Sequence, residues 1–163
     1  MQISRRPITK LALTNQGALD LVFLGVGSAF SKTLNQTNLF IVKDQTHLLI
    51  DCGNHCSHSL FHDYNTPLTD IDNFLITHSH ADHIGGLEEA QLAGRYVKKR
   101  KPTMIITPAY EKILWEQSLR GGAEASEAVP LKFKDLWNIV RPRKLKTFSR
   151  DTFETDFLSL IHI

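Results

Sequence analysis

The chain has 163 residues, 42% of them hydrophobic and 22% charged, with a formal net charge of +2. That is enough for one domain with its own core, and too balanced in charge to imply a nucleic-acid or membrane partner. No run approaches the ~18–20 apolar residues of a membrane span, and Lys10, Thr14, Asn15 and Gln16 interrupt any secretory h-region, so a soluble cytoplasmic protein is expected.

Residues 1–17 are polar and mixed, readable as a weak edge strand or a loose segment, and Gly17 marks a turn. Residues 19–24 are apolar enough for a buried strand, ended by Gly25-Val26-Gly27-Ser28. Residues 31–38, rich in Thr, Asn and Ser, favour a loop. Two short β-rich runs, 39–42 and 47–50, flank Lys43-Asp44-Gln45-Thr46 and read as a hairpin.

The second run leads to Asp51-Cys52-Gly53. Cys52 and Cys56 read as reduced, partly buried thiols, since nothing else suggests an oxidising compartment. Residues 54–64 then carry Leu60, Phe61 and Tyr64 at helical spacing, ending before Pro67. The same helix bears His55, His58 and His62, either a solvated surface or imidazoles gathered on one face.

Residues 71–76 form the next strand, running into Thr77-His78-Ser79-His80-Ala81-Asp82-His83. Side chains alternate along an extended segment, so His78 and His80 point the same way and can grip one ion. A bend after His80 would turn Asp82 and His83 toward a second position. Imidazole nitrogen and carboxylate oxygen are donors zinc accepts. The rival reading is a solvated His-rich turn with Asp82 capping the next helix. Gly85-Gly86 would let the chain turn before a helix opening near Leu87 and running to about Val97.

Lys98-Lys99-Arg100-Lys101 is the basic end of that helix, complementing its C-terminal dipole or meeting a phosphate-bearing substrate. A strand at 103–106 precedes Thr107-Pro108, an N-cap followed by proline in the first turn. Gly121-Gly122 should stop that helix. A loop covers 123–130, a short helix or turn 135–139, and one more strand 153–163. Arg141-Pro142-Arg143-Lys144 is a second basic cluster, read as a solvated face.

Thr77-His78-Ser79-His80-Ala81-Asp82-His83 resembles the signature of the metallo-β-lactamase-fold hydrolases. Leu48-Leu49-Ile50-Asp51-Cys52-Gly53 resembles the strand that precedes the metal loop there, and Phe23-Leu24-Gly25-Val26-Gly27-Ser28-Ala29 resembles the opening of the ribonuclease Z-like branch. The resemblance implies an α/β fold, the αββα sandwich, as a single domain over 1–163. Mainly its N-terminal half is expected to be present, with the C-terminal part incomplete.

It further implies a zinc-dependent hydrolase acting through a metal-bound hydroxide, with two zinc ions in the complete fold. His78 and His80 would hold the first, Asp82 and His83 the second. Asp82 would also carry a proton in catalysis, and Asp51 would orient the ligand loop, unless it only satisfies turn amides. No bridging Asp or late His can be assigned by motif; His162 stands near the chain's end as a third ligand or as non-native sequence. The expected substrate is a phosphodiester, either RNA or a cyclic nucleotide. A thioester or lactone hydrolase and a catalytically incomplete metal-binding fragment are the alternatives. No membrane partner is expected, and a homo-oligomer is left open.

Overall fold

The computed structural model describes residues 9–142 and, as backbone, 147–150 and 153–156. Six strands form one mixed sheet in sequence order: β1 (Asp20–Gly25), β2 (Asn38–Lys43), β3 (Thr46–Ile50), β4 (Asn73–Leu75), β5 (Thr103–Ile105) and β6 (Asn138–Val140). β1, β2 and β3 are antiparallel, and β3, β4, β5 and β6 are parallel. Two further strands, β7 (Thr147–Arg150) and β8 (Phe153–Asp156), pair with each other. The helices are α1 (Cys56–Tyr64), α2 (Ala81–Ile84), α3 (Leu87–Ala93), α4 (Pro108–Leu114), α5 (Arg120–Ala123) and α6 (Phe133–Leu136).

Alternation along the strands separates two apolar sets. Phe40, Leu49, Phe74 and Met104 stand side by side across β2–β5, and each is fully buried. Against them pack Leu60 of α1, Leu87 of α3 and Leu114 of α4, with Leu136 and Trp137 around α6. Phe74 meets Trp137 edge to face at 5.4 Å, the geometry the ring quadrupoles favour. On the opposite face lies a smaller set, Leu48, Leu75 and Ile105, flanked by Ile41, Ile50 and Val140. The parallel strands thus carry apolar side chains on both faces, which explains their continuous apolar reading.

Several expectations change. β1 was expected to be buried, yet it is an edge strand whose Leu21 and Phe23 are more than half exposed, while Leu24 turns inward. The hairpin is tighter than four residues, since Lys43 pairs with Thr46 and Asp44 takes a left-handed φ of 51°. Residues 9–17 form no strand but are tied down. Leu11 donates its N–H to the Tyr64 carbonyl, and Asn15 Oδ1 accepts from the Asp44 amide at 2.7 Å. Gly17 does turn, at φ 98°.

α1 ends at Asn65, in the left-handed conformation at φ 46°, before Pro67 is reached. Gly121-Gly122 does not stop the chain, because both glycines lie within α5 and the Gly122 Cα packs against the Glu88 carboxylate. The short helix or turn expected at 135–139 is a short helix, α6, beginning at Phe133, and it is followed by β6, a three-residue strand too short to announce itself. Of the basic clusters, Lys98 pairs with Asp70 at 2.8 Å and Arg100 with Asp72, while Arg141 pairs with Glu111. These three cations are held in ion pairs at the surface. Arg143, Lys144, His162 and the rest of the expected final strand beyond Asp156 lie outside the described residues.

Among the described residues no helix is long and apolar enough to cross a membrane. Cys52 and Cys56 are unpaired and fully buried, deeper than expected.

His47, at the start of β3, gives the fold a pH dependence. Its Nδ1 lies 3.3 Å from the Leu13 carbonyl, and its Nε2 accepts the Asp72 amide at 2.9 Å. Burial pushes its pKa below the ordinary 6.5, outweighing the Asp72 carboxylate and the Leu13 carbonyl, which raise it. A depressed folded value means the contribution is complete above 6.5 and is lost as pH falls through that lower value. Urea unfolding below pH 6 should therefore show a loss of stability that His47→Gln flattens, at a constant cost of about 1 kcal/mol for the missing bond. An unchanged pH slope in the variant would remove His47 from this role.

Candidate metal centre

The site is built where β3 and β4 end side by side. Ile50 pairs with Leu75, and Asp51 donates its N–H to the Leu75 carbonyl at 2.9 Å. Asp51 then takes φ 63°, a left-handed conformation that Asp tolerates better than most residues. That twist aims its carboxylate across the sheet end at the segment following β4. There it accepts the Thr77 amide at 2.8 Å, the Thr77 hydroxyl at 2.9 Å and His83 Nδ1 at 2.7 Å. Both sequence readings of Asp51 hold at once: it satisfies a turn amide and it holds a histidine of the loop.

The loop is locked to the β3 end by backbone. Cys52 donates its N–H to the His83 carbonyl, and its own carbonyl accepts the Gly86 amide, each at 2.8 Å. Close approach explains the glycines. A Cβ on Gly53 would collide with the Asp82 carbonyl, and one on Gly86 would lie 2.7 Å from Cys52 Sγ. The role expected for Gly85-Gly86 was a tight turn, but both take right-handed helical dihedrals and the loop is already helical over α2. What they supply is room, not a special φ.

The four loop residues gather in two pairs. His78 Nε2 and His80 Nδ1 face each other at 3.0 Å, as alternation requires. His83 Nε2 lies 3.3 Å from Asp82 Oδ2, both carried on α2 beyond the bend. The rings of His78 and His83 stand 3.9 Å apart, so the pairs adjoin. His80 is exposed and His78, Asp82 and His83 are half-buried, leaving the donors open to solvent on one side.

Protons are placed by the surroundings. His83 Nδ1 donates to the Asp51 carboxylate, so in the neutral ring the lone pair sits on Nε2. Thr77 Oγ1 gives its own hydrogen to Asp51 and lies 3.0 Å from His78 Nδ1, which assigns the His78 proton there and the lone pair to Nε2. Burial, then the adjoining His83 and His80, hold His78 below the ordinary imidazole pKa and favour the neutral ring.

The donor types suit zinc, and the tautomers present lone pairs outward. Each pair offers two donors, however, and zinc takes four ligands as a rule. Among the described residues no three His, Cys, Asp or Glu side chains form a group that could hold an ion by themselves. On α1, His58 and His62 do approach, with ring centroids 4.1 Å apart, while His55 stands outside that pair. A group missed at the sequence level is Tyr110, whose hydroxyl reaches Ser79 inside the loop. It lies far along the chain, on α4, and carried no motif.

The fold is that of metallo-β-lactamase-fold proteins. YhfI of that fold, from Bacillus subtilis, superposes with a TM-score of 0.64 at 17% identity, covering 85% of this chain and 51% of its own. A diphosphatase of the PhnP family gives 0.52 at 17% identity, with 80% and 53% covered.

The chain belongs to the anti-Pycsar protein Apyc1 family, whose profile matches residues 19–163. The Apyc1 protein of Bacillus phage BSP38 is 42% identical over 135 residues, which is 81% of this chain and 51% of the relative. That of Paenibacillus xerothermodurans is 36% identical over 123 residues, 76% of this chain and 49% of the relative. The chain thus spans about half the length of the curated relatives it matches.

Proposed function

We propose that this chain carries the metal-ligating half of a zinc-dependent hydrolase acting on a phosphodiester, with a cyclic nucleotide preferred over RNA. The observation that carries the proposal is the pairing of His78 Nε2 with His80 Nδ1 at 3.0 Å beside the Asp82–His83 pair. Membership of a family named for opposing Pycsar supports the cyclic-nucleotide arm. The opening turn Gly25-Val26-Gly27-Ser28, similar to that of ribonuclease Z-like enzymes, leans the same way toward a phosphodiester.

His78 and His80 would hold one ion, and Asp82 with His83 a second. Zinc, when bound, supplies acidified water, lowering its pKa to about 7 and so giving a nucleophile near neutral pH. The chain's own residues do the rest. Asp51 keeps the proton of His83 on Nδ1 and, through Thr77, that of His78 on Nδ1, so both Nε2 atoms stay available. Asp82, a carboxylate open to solvent on one side, would carry a proton between solvent and the reacting oxygen.

The test is turnover of a cyclic nucleotide, a short RNA, bis(p-nitrophenyl) phosphate, a thioester and a lactone by the zinc-loaded protein extended to its relatives' length. Cyclic-nucleotide cleavage should dominate, and Asp82→Ala should lower it at least tenfold per bound zinc. Equal activity per zinc in the variant would remove Asp82 from the mechanism, and a thioester or lactone preference would overturn the substrate class. The second reading for the chain alone is a catalytically incomplete metal-binding fragment, in which the two donor pairs among the described residues would bind metal without turnover.

A further inference from the structure

His78 and His80 face each other across Ser79. Thr77 and Ser79, the residues on either side of His78, are each fastened to a different part of the fold. Thr77 is held by Asp51, at the end of β3. Ser79 Oγ lies 3.0 Å from the hydroxyl of Tyr110, on α4.

Tyr110 is itself fixed. Its ring belongs to the main core and is only 5% exposed, and its N–H donates to the Thr107 hydroxyl that caps α4, with Pro108 setting the first turn. A buried phenol therefore reaches into the loop from the first turn of α4 and ends on the one residue lying between the two facing histidines. Burial raises its pKa, so the hydroxyl keeps its proton through the neutral range.

We propose that Tyr110 is a positioning residue for the first metal, acting through Ser79 to hold the His78–His80 spacing. This rests on reading those histidines as metal ligands. With both alternate side chains pinned, the segment cannot rotate about its axis, and the two imidazoles stay convergent. With Ser79 released, only Thr77 resists that rotation, and the donor pair pays for its alignment when a cation binds. The second-metal pair, on α2 and held by Asp51, lies beyond this anchor and should be less affected.

The experiment uses the full chain and cobalt(II), whose visible absorption reports ligand geometry, with zinc affinity by competition. Tyr110→Phe keeps the ring and the core, removing only the hydroxyl. It should weaken cobalt binding about three- to tenfold, the range of one hydrogen bond, and change the intensity of the cobalt band. Ser79→Ala should do the same, the double variant no more than either single one, and Ser79→Thr should retain affinity. Amide exchange over 77–80 in the metal-free protein should quicken in Tyr110→Phe, with the melting temperature nearly unchanged. Additive losses in the double variant, or equal cobalt affinity in wild type and Tyr110→Phe, would overturn the proposal alone. A wild-type chain that takes up no cobalt would overturn the metal reading as well.

Discussion

Replacing His78 and His80 together with alanine is expected to abolish stoichiometric zinc binding at the first position. The two nitrogens face each other at 3.0 Å, so neither can bind an ion in that place without the other's contribution. His80 is exposed and His78 half-buried, so the double variant should stay folded, with stability within about 1 kcal/mol of the parent. His55→Ala with His58→Ala, on the exposed side of α1, should leave zinc content nearly unchanged. Elemental analysis of dialysed protein checks both pairs, and the reverse order of losses would sink the site assignment.

The second large effect is expected at Asp51. Its carboxylate accepts the Thr77 amide, the Thr77 hydroxyl and His83 Nδ1, and it is nearly inaccessible to water. Asp51→Ala leaves those donors unpaired near the core, each at about 1–3 kcal/mol. It also puts alanine into a left-handed φ of 63°, where Cβ adds roughly 1 kcal/mol. A loss of about 3–5 kcal/mol in urea unfolding should result, together with loss of metal. Asp51→Asn separates the two effects. The amide tolerates the same φ and still accepts from Thr77, so the fold should survive at a cost of about 1–2 kcal/mol. It presents an N–H to His83 Nδ1, however, which moves the imidazole proton to Nε2 and should weaken metal binding at least tenfold. An Asp51→Asn protein with parental zinc affinity would show that the tautomer does not matter.

The gathering of the loop's histidines was legible because it is local. His78 and His80, two residues apart, face each other, and Asp82 and His83 form the adjoining pair. Asp51 was legible for a related reason, since it ends a strand whose neighbour leads into the loop. Tyr110 was not, because its hydrogen bond to Ser79 spans 31 residues of chain and depends on how α4 packs. The elements themselves divide the same way. The hairpin of β2 and β3 announced itself through two β-rich runs around a polar turn. β6 did not, because three residues are too few for periodicity and its pairing to β5 comes from tertiary structure. The glycines of α5 misled because glycine usually stops helices for want of a Cβ, whereas Gly122 is there to let Glu88 come close. β1 read as buried from its composition, which cannot tell an edge position from a central one.

The mixed sheet also sets the order in which this site can come into being. β2 and β3 are joined through the tight turn between Lys43 and Thr46, and hairpin closure of that kind takes roughly 1–10 μs. Pairing β3 with β4 must bring Leu49 to Phe74 across α1, a non-local step that pays loop-closure entropy before any contact repays it. Until that step, the Asp51 carboxylate has no Thr77 to hold, and the histidines downstream have no fixed orientation. Metal capture by the proposed site would therefore be a late event on the folding path, with the ion as a latch on a finished β3–β4 junction. Metal added at the start of refolding should slow unfolding while leaving the early hairpin phase untouched.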